Sequence, residues 1–250
     1  MLRTIITAAA FSLAATSGQA FDIENMTDEE RAIFQSEIRA YLLENPHVIM
    51  EAVQILQSQQ NQQAAAAELA LLRDNSEEIY NDGVSFVGGN PDGDVTIVEF
   101  LDYRCGYCKR AFPSVEELLA SDGNIRFVVK EFPILGEASV MVSQYALAVK
   151  FSAGDDAYKT VHDKLMLHRG DINEGYLARL SREIGVDHGD VADLMESQEV
   201  MDVIAANRQL AQKLAIQGTP SFIMGENFVR GFVELDQMRA IVEGIRNEQS

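Results

Sequence analysis

The only two cysteines of this 250-residue chain, Cys105 and Cys108, lie three positions apart in the stretch Cys105-Gly106-Tyr107-Cys108. The apolar run at 95–101 is typical of a buried strand, and the segment after Cys105 is typical of a helix. A thiol in the first helical turn faces unpaired backbone N–H groups and the positive end of the helix dipole. Both favour the thiolate, which makes Cys105 the candidate nucleophile.

The spacing of the pair indicates redox chemistry. A second thiol one turn along can close a small-loop disulfide, which the thiolate of another protein can attack, so the pair can cycle between two redox states. We expect Cys105 to form the mixed disulfide. Cys108, on the buried side of the helix, is expected to resolve it.

Two other uses of the pair are disfavoured. A structural zinc site needs four ligands, but the chain has no third cysteine, and its histidines, at 47, 162, 168 and 188, show no ligand spacing beside the pair. An inert structural disulfide closing so short a loop would restrain the unfolded chain little. No metal or cofactor is therefore predicted.

The N-terminus predicts export. Arg3 precedes an apolar run at 5–15, and Gly18-Gln19-Ala20 offers small residues at the outer positions of a cleavage site. We therefore expect residues 1–20 to be a secretory signal, since the run is too short to span a bilayer. A bacterial periplasm, where disulfides form and persist, is the expected destination.

The composition excludes some partners. A formal net charge of −19 argues against nucleic acid or an anionic membrane surface as a ligand. The 47% of hydrophobic residues is enough to bury a substantial core. One elaborated domain with an appendage fits this length.

Residues 21–80 predict a helical arm. Thr27 and Glu30 have the spacing of a capping box, and Asn45-Pro46 separates two helices. The apolar stripes are narrow for an independent domain, so the arm needs a partner surface. That partner is either the arm of another subunit, as in a homo-oligomer, or the chain's own catalytic domain. The stripes consist of Phe34, Ile38, Tyr41 and Leu42, then Ile49, Val53 and Leu56.

Residues 81–250 predict an α/β domain. Strands are expected at 84–87, 95–101 and 125–132, with a helix from the cysteine pair to about Ala120 between the last two. Such a unit has parallel strands and a right-handed crossover, and open α/β sheets place their sites at the carboxyl ends of the strands.

The rest of the domain is expected to be mainly helical. Residues 137–215 have helical patterns throughout, which predicts an all-helical insertion. Thr219-Pro220 then opens a strand ending at Met224, a position that suits proline and also invites a cis bond. A hairpin at 225–227, a strand at 228–230 and a closing amphipathic helix follow.

These features in this order resemble the thioredoxin-fold proteins of the DsbA type, over residues 84–248. The resemblance implies a thioredoxin fold with an inserted helical subdomain, and it makes Thr219-Pro220 the cis-proline loop beside the disulfide. It also implies that Glu99 is a buried acid that accepts the proton of Cys108. Lys130 is a candidate ion-pair partner for Glu99, the alternative being that both lie at strand ends in water.

Further details resemble one branch of this family. Gly106-Tyr107 between the cysteines and Thr219 before the proline resemble disulfide isomerases, and the arm is similar to that of oligomeric ScsC (suppressor of copper sensitivity) proteins. We expect Asp102, Arg104, Lys109 and Arg110 to be exposed. Tyr103 and Tyr107 either stack on an unfolded client or pack internally.

The resulting hypothesis is an exported disulfide isomerase. Its clients are unfolded or misoxidised exported proteins, and a membrane redox partner keeps the cysteine pair reduced. A monomeric DsbA-like dithiol oxidase is the alternative enzyme. A module that binds Cu(I) through the two sulfurs, or a holdase, is an alternative of another class.

Overall fold

The structure is a computed structural model that describes residues 23–249, so the predicted signal at 1–20 lies outside the described residues. The chain divides into two compact units, with the boundary after Asn61. No helix among the described residues has the length and apolar character needed to cross a membrane. In chain order the elements are α1 (Asp28–Glu44), α2 (His47–Asp74), α3 (Ser76–Tyr80), β1 (Phe86–Gly89), β2 (Val95–Leu101), α4 (Gly106–Asp122), β3 (Ile125–Glu131), α5 (Glu137–Ala153), α6 (Asp155–Leu167), α7 (Glu174–Ile184), α8 (His188–Met195), α9 (Gln198–Lys213), β4 (Ser221–Met224), β5 (Asn227–Arg230) and α10 (Leu235–Gln249).

The first unit, described over residues 23–61, contains α1 and the beginning of α2. The predicted capping box is present, because Thr27 Oγ1 accepts from the Glu30 N–H at 3.3 Å and Glu30 Oε2 accepts from the Thr27 N–H at 2.8 Å. Asn45 ends α1 by donating its backbone N–H and its side-chain amide to the Tyr41 carbonyl. No residue of α1 is buried, so local signals rather than packing define this helix.

The second unit is built on a five-stranded sheet with the order β1-β3-β2-β4-β5. β2 and β3 are parallel, as predicted for the strand–helix–strand unit, and the other three pairings are antiparallel. β2 is the central strand. The segment with both cysteines follows the carboxyl end of β2 and therefore lies at the middle of one edge of the sheet.

Both faces of β2 are covered, as its apolar sequence predicted. Ile97 and Leu101 face the larger core cluster, which also contains both cysteines, and Val98 and Phe100 face a smaller cluster on the other side of the sheet. Because successive strand side chains alternate between faces, Glu99 points toward the larger cluster.

Two predicted boundaries need correction. The first strand was expected at 84–87 but begins at Phe86, because Asp82 Oδ1 accepts from the N–H groups of Val84 and Ser85 and holds them in a turn. The helix after Cys105 extends to Asp122 rather than Ala120, and ends where Gly123 adopts the left-handed conformation at φ 69°.

The remaining elements agree with the sequence. The stretch predicted to be helical, residues 137–215, contains α5 to α9. β4 and β5 form the predicted antiparallel hairpin, and α10 closes the domain with Met238, Val242 and Ile245 buried against the larger core cluster.

Candidate functional site

Cys105 occupies the N-cap position of α4. Its N–H donates to the Asp102 carbonyl at 2.9 Å, and its own carbonyl accepts from the Lys109 N–H at 3.1 Å. The sulfur therefore lies where the first backbone N–H groups of α4 point out of the helix. The expected position of Cys105 at a helix N-terminus is the one observed.

The two thiols differ in accessibility. Both are free, but Cys108 is 0% exposed inside the larger core cluster, whereas Cys105 retains 7% exposure at its edge. Only Cys105 can be reached by the sulfur of another protein. Cys108 can attack the Cys105 sulfur only from the interior of the protein.

The surroundings of Cys105 favour its thiolate. A hydrogen bond from the Cys108 thiol lowers the pKa of Cys105 to about 5, with help from the Thr219 side chain and the backbone N–H groups of Cys108 and Tyr107, against a smaller opposing effect of burial. The Cys105 sulfur also lies 3.2 Å from the Thr219 carbonyl oxygen, a contact in which the thiol donates. This single acceptor favours the protonated thiol. More groups donate to the Cys105 sulfur than accept from it, so the net shift of the Cys105 pKa is downward.

Cys108 has the opposite tendency. Burial raises the pKa of Cys108 far above its ordinary value, and donation of its proton to Cys105 and the negative charge of Glu99 add to this effect. The buried thiol thus remains protonated while it stabilises its neighbour. Two cysteines three residues apart have different chemistry because one lies at the surface and the other in the core.

Glu99 is buried, with 3% exposure, between Val129 and Phe222 of the adjacent strands. Burial raises the pKa of Glu99 to about 8, and the negative charges of Cys105, Glu116 and Glu131 contribute in the same direction. Its Oε1 atom has no hydrogen-bond partner among the described residues. The side chain is therefore mainly a neutral acid at neutral pH.

The expected pairing of Lys130 with Glu99 is wrong. Glu99 is in register with Val129, so Lys130 points to the other face of the sheet. There its ammonium contacts Asp82 Oδ2 at 2.6 Å and the Glu78 carbonyl at 2.7 Å. The alternative, that both side chains lie in water at strand ends, is wrong as well, because both are buried.

Asp102 was expected to be exposed but is fully buried. Its carboxylate accepts from the N–H groups of Arg104, Ile134 and Leu135 at 2.8, 2.9 and 3.1 Å. These bonds hold the loop that leads into Cys105 against the segment after β3. Of the other residues in this group, Arg104 and Arg110 are exposed as expected, and Lys109 is half-buried.

A third buried carboxyl group, that of Glu131, was not singled out from the sequence. Its oxygens accept from the hydroxyls of Tyr103, Tyr158 and Ser143 at 2.7, 2.6 and 2.7 Å, and Tyr103 also lies 3.1 Å from His162 Nδ1. Burial raises the pKa of Glu131 to about 7 although these bonds oppose the shift. Tyr103 thus packs internally, which leaves Tyr107, 63% exposed, as the tyrosine available to a client.

The loop before β4 completes the site. The Thr219-Pro220 peptide bond is cis. The Pro220 carbonyl accepts from the Gly231 N–H at 2.9 Å, and the Gly218 carbonyl accepts from the Ser221 hydroxyl at 2.7 Å. The structure therefore brings Cys105, Cys108, Thr219 and Glu99 together around the end of β2, and Pro220 is the buried residue that follows Thr219.

The lowered pKa of Cys105 predicts a measurable titration. In the reduced protein we expect the rate of alkylation by iodoacetamide to follow one ionisation with a midpoint near pH 5. In Cys108→Ala the midpoint rises, because the largest stabilising hydrogen bond is lost. Cys108→Ser keeps a hydroxyl donor and serves as the matched control with a smaller rise. A midpoint near about 8.5, the value of an ordinary cysteine, would contradict this account.

The raised pKa of Glu99 predicts how stability depends on pH. Between its ordinary value of 4.5 and about 8, the folded chain holds a proton that the unfolded chain releases, so this group lowers the free energy of unfolding as pH rises. The slope is at most about 1.4 kcal/mol per pH unit. In Glu99→Gln this slope disappears. Urea unfolding should therefore show that the free energy of unfolding of the variant rises relative to that of the wild type as the pH increases from 4.5 to about 8. Glu243→Gln, in an exposed part of α10, is the control; the same pH profile in both variants would reject the assignment.

Two family models match the chain. One, described as a DSBA-like thioredoxin domain, matches residues 96–243, more than half of the chain, and includes Cys105, Cys108, Thr219 and Pro220. The other, described as the copper resistance protein ScsC N-terminal domain, matches residues 30–63.

Solved structures of individual proteins are also similar to this chain. A thioredoxin-like oxidoreductase from Silicibacter pomeroyi DSS-3 is 42% identical, with a TM-score of 0.65 over 68% of this chain and 97% of that one. Proteus mirabilis ScsC in a compact conformation is 26% identical, with a TM-score of 0.64 over 89% of this chain and 99% of that one.

A curated relative, the Na⁺/H⁺ antiporter NhaA 3 of Salinispora tropica, is 26% identical over 156 residues, which are 62% of this chain. The chain spans only 24% of the length of that antiporter. The resemblance expected from the cysteine pair, the helical insertion and the X-Pro loop is confirmed, and the chain belongs to the DsbA-like thioredoxin domain family.

Proposed function

We propose that the chain is an exported thiol–disulfide oxidoreductase that isomerises protein disulfides through Cys105. The observation that carries this proposal is the asymmetric pair: a thiol of low pKa at the edge of the core beside Thr219, and a fully buried thiol one turn along the helix. Membership of the DsbA-like family supports the oxidoreductase part. The choice of isomerisation rests on further features of the chain.

In the first step the Cys105 thiolate attacks one sulfur of a client disulfide. A bond forms between Cys105 and that sulfur, and the other client sulfur leaves as a thiolate that takes a proton from solvent. A nucleophile that is already ionised at neutral pH needs no base for this step. Thr219 lies beside the reacting sulfur, where its backbone is in contact with Cys105.

The mixed disulfide can break in two ways. A different client thiolate can displace Cys105, which leaves a rearranged client and regenerates the dithiol without any net transfer of electrons. Alternatively, the Cys108 sulfur displaces the client, so that two electrons pass to the client and a Cys105–Cys108 disulfide remains. In this second route Glu99 must first lose its own proton, which a pKa of about 8 allows in a minor fraction of molecules at neutral pH, and its carboxylate then accepts the proton of Cys108. Its side chain lies on the face of the sheet that packs against the cluster containing both cysteines, which supports this role.

The helical arm supports isomerisation over simple oxidation. Six of the seven predicted stripe residues of the arm are exposed, and Leu42 is half-buried. The exposed six are Phe34 at 36%, Ile38 at 44%, Tyr41 at 56%, Ile49 at 49%, Val53 at 47% and Leu56 at 55%. Apolar surface of this extent is typical of an interface with another chain. Several catalytic units joined through such arms hold one client at high effective concentration while its disulfides are exchanged.

The proposal includes a compartment and partners. The clients are unfolded or misoxidised exported proteins, and the predicted signal at 1–20 directs the chain to a bacterial periplasm. Isomerisation needs the dithiol form, so a membrane-bound redox partner supplies two electrons whenever Cys105 and Cys108 become oxidised.

Isomerase activity is tested with scrambled ribonuclease. We expect the reduced wild-type chain to restore ribonuclease activity, because Cys105 attacks the wrong disulfides. Cys105→Ser removes this activity, and Cys108→Ser retains part of it, since client thiols can still displace Cys105. Rapid oxidation of a reduced peptide without any recovery of scrambled ribonuclease would instead support the dithiol oxidase.

The role of the arm in oligomerisation is tested by measuring the mass of the particle that the protein forms in solution. We expect light scattering to give a particle of more than one chain for the mature protein. Val53→Asp places a charge in the predicted interface and should reduce the mass toward that of one chain. The control Gln59→Asp adds the same charge at an exposed polar position of α2. A wild-type particle of one chain would reject the oligomer.

A further inference from the structure

A cluster of cations lies beside the cysteine pair. A cleft of about 250 Å³ opens between the first turn of α4 and the loop after α6. It is lined by Arg104, Lys109, His168, Arg169, Gly170, Asp171 and Ile172. The three cations thus outnumber the single carboxylate, in a chain whose net charge is −19.

None of the ion pairs found within residues 23–249 involves Arg104, Lys109 or Arg169. The neighbouring Arg110, by contrast, pairs with Glu234 at 3.3 Å. Arg104, Lys109 and Arg169 therefore share one cleft without an ion-paired carboxylate among the described residues. Their charge remains available to a ligand.

Lys109 is fixed in this cleft. Its ammonium donates to the His168 carbonyl at 2.6 Å, which uses one of its three protons. Burial, followed by the positive charges of Arg169 and Arg104, lowers the pKa of Lys109. Arg104 and Arg169 are therefore each close enough to repel Lys109, and an anion in the cleft would relieve that repulsion.

The cleft also contains an unsatisfied polar atom. His168 Nε2 is buried and makes no hydrogen bond within the described part of the chain. It faces Gly170, where a side-chain Cβ would approach Nε2 to 3.0 Å. The loop that supplies His168 and Gly170 to the cleft thus retains a buried polar atom without a hydrogen-bond partner in the described part of the chain.

The position of the cleft relates it to the reactive sulfur. Arg104 directly precedes Cys105, and the Lys109 N–H donates to the Cys105 carbonyl, so both flank the nucleophile within one helical turn. A residue close to the reacting cysteine of a bound peptide, at about 3.8 Å of chain per residue, lies within reach of this wall.

We propose that this cleft binds a carboxylate of the molecule whose sulfur exchanges with Cys105. The inference rests on the proposed function, and it narrows the substrate class to thiols and disulfides that carry a carboxylate near the sulfur. An Asp or Glu next to the cysteine of a peptide supplies this group, and so do the carboxylates of a small peptide thiol such as glutathione. The attraction accelerates formation of the mixed disulfide.

The experiment uses three peptides that differ only at the residues beside one cysteine, which are Glu, Gln or Lys. Each cysteine is capped as a 2-thiopyridyl disulfide, so attack by Cys105 forms the mixed disulfide and releases neutral 2-thiopyridone, whose absorbance gives the rate. For the reduced mature protein at physiological ionic strength, where the net charge is largely screened, we expect the Glu peptide to react roughly tenfold faster than the Gln peptide. The ratio should fall at high ionic strength.

Arg169 is the residue to change, because it belongs to the loop after α6 and lies far in sequence from the cysteines. In Arg169→Gln the Glu-to-Gln rate ratio falls toward one, and Arg169→Lys restores much of it. Arg182→Gln removes the same charge from an exposed position of α7 and should leave the ratio unchanged. A ratio that falls equally in Arg169→Gln and Arg182→Gln would overturn the cleft in favour of a general charge effect.

A parallel arm compares glutathione disulfide with its ester, in which carboxylates are blocked. A preference for the free acid that Arg169→Gln removes, with equal rates for the peptides, supports the cleft and identifies the small thiol as the carboxylate source. Equal rates for all peptides and for both forms of glutathione disulfide would overturn the inference while leaving the exchange reaction intact. Absence of reaction with every probe would reject the proposed function itself.

Discussion

The site depends on the antiparallel pairing of β2 with β4. This pairing sets Phe100 opposite Ser221 and Glu99 opposite Phe222, so that the chain entering β4 passes beside the chain leaving β2. As a result the Cys105 sulfur and the Thr219 carbonyl, 114 residues apart in sequence, lie 3.2 Å from each other. A backbone ladder fixes this distance more firmly than side-chain packing could, because each of its hydrogen bonds has a defined direction and length.

With this pairing in place, the pKa values of the two thiols shift in opposite directions within a single helical turn. Cys105 lies where N–H groups converge, and Cys108 lies in the core close to the carboxyl group of Glu99, whose Oε1 accepts no hydrogen bond from residues 23–249. For this two-electron couple about 1.4 kcal/mol corresponds to roughly 30 mV. One hydrogen bond to a thiolate is of that size, so the reduction potential is set by a few contacts around Cys105 rather than by the fold alone.

Sequence reasoning was most successful where the signal was local. The continuous apolar run of β2, the capping box at Thr27 and the proline after Thr219 each act on adjacent residues, and each predicted the structure nearby. Asp102 was misjudged because two of its partners, Ile134 and Leu135, are about thirty residues away. Only the completed sheet brings them within reach of its carboxylate.

The predicted pairing of Lys130 with Glu99 was wrong for a different reason. The strand at 125–132 was recognised, and strict alternation within it would have set Lys130 and Val129 on opposite faces. What the sequence alone lacked was the register that aligns Val129 with Glu99. Glu131 was missed for a related reason, since its three hydroxyl partners come from the active-site loop, α5 and α6, whose packing no short-range pattern encodes.

The distribution of charge decides whether a strongly acidic protein can attract the acidic substrates that we propose for it. The net charge of −19 acts over long distances, but at physiological ionic strength charges separated by more than about 8 Å are largely screened. Arg104, Lys109 and Arg169 line the cleft beside the Cys105 segment together with one carboxylate, that of Asp171. A carboxylate that enters the cleft meets three cations and one carboxylate, although the molecule as a whole carries a charge that repels it. Raising the salt concentration removes first the repulsion and then the attraction, so the proposed preference for acidic substrates depends on contact distances rather than on net charge.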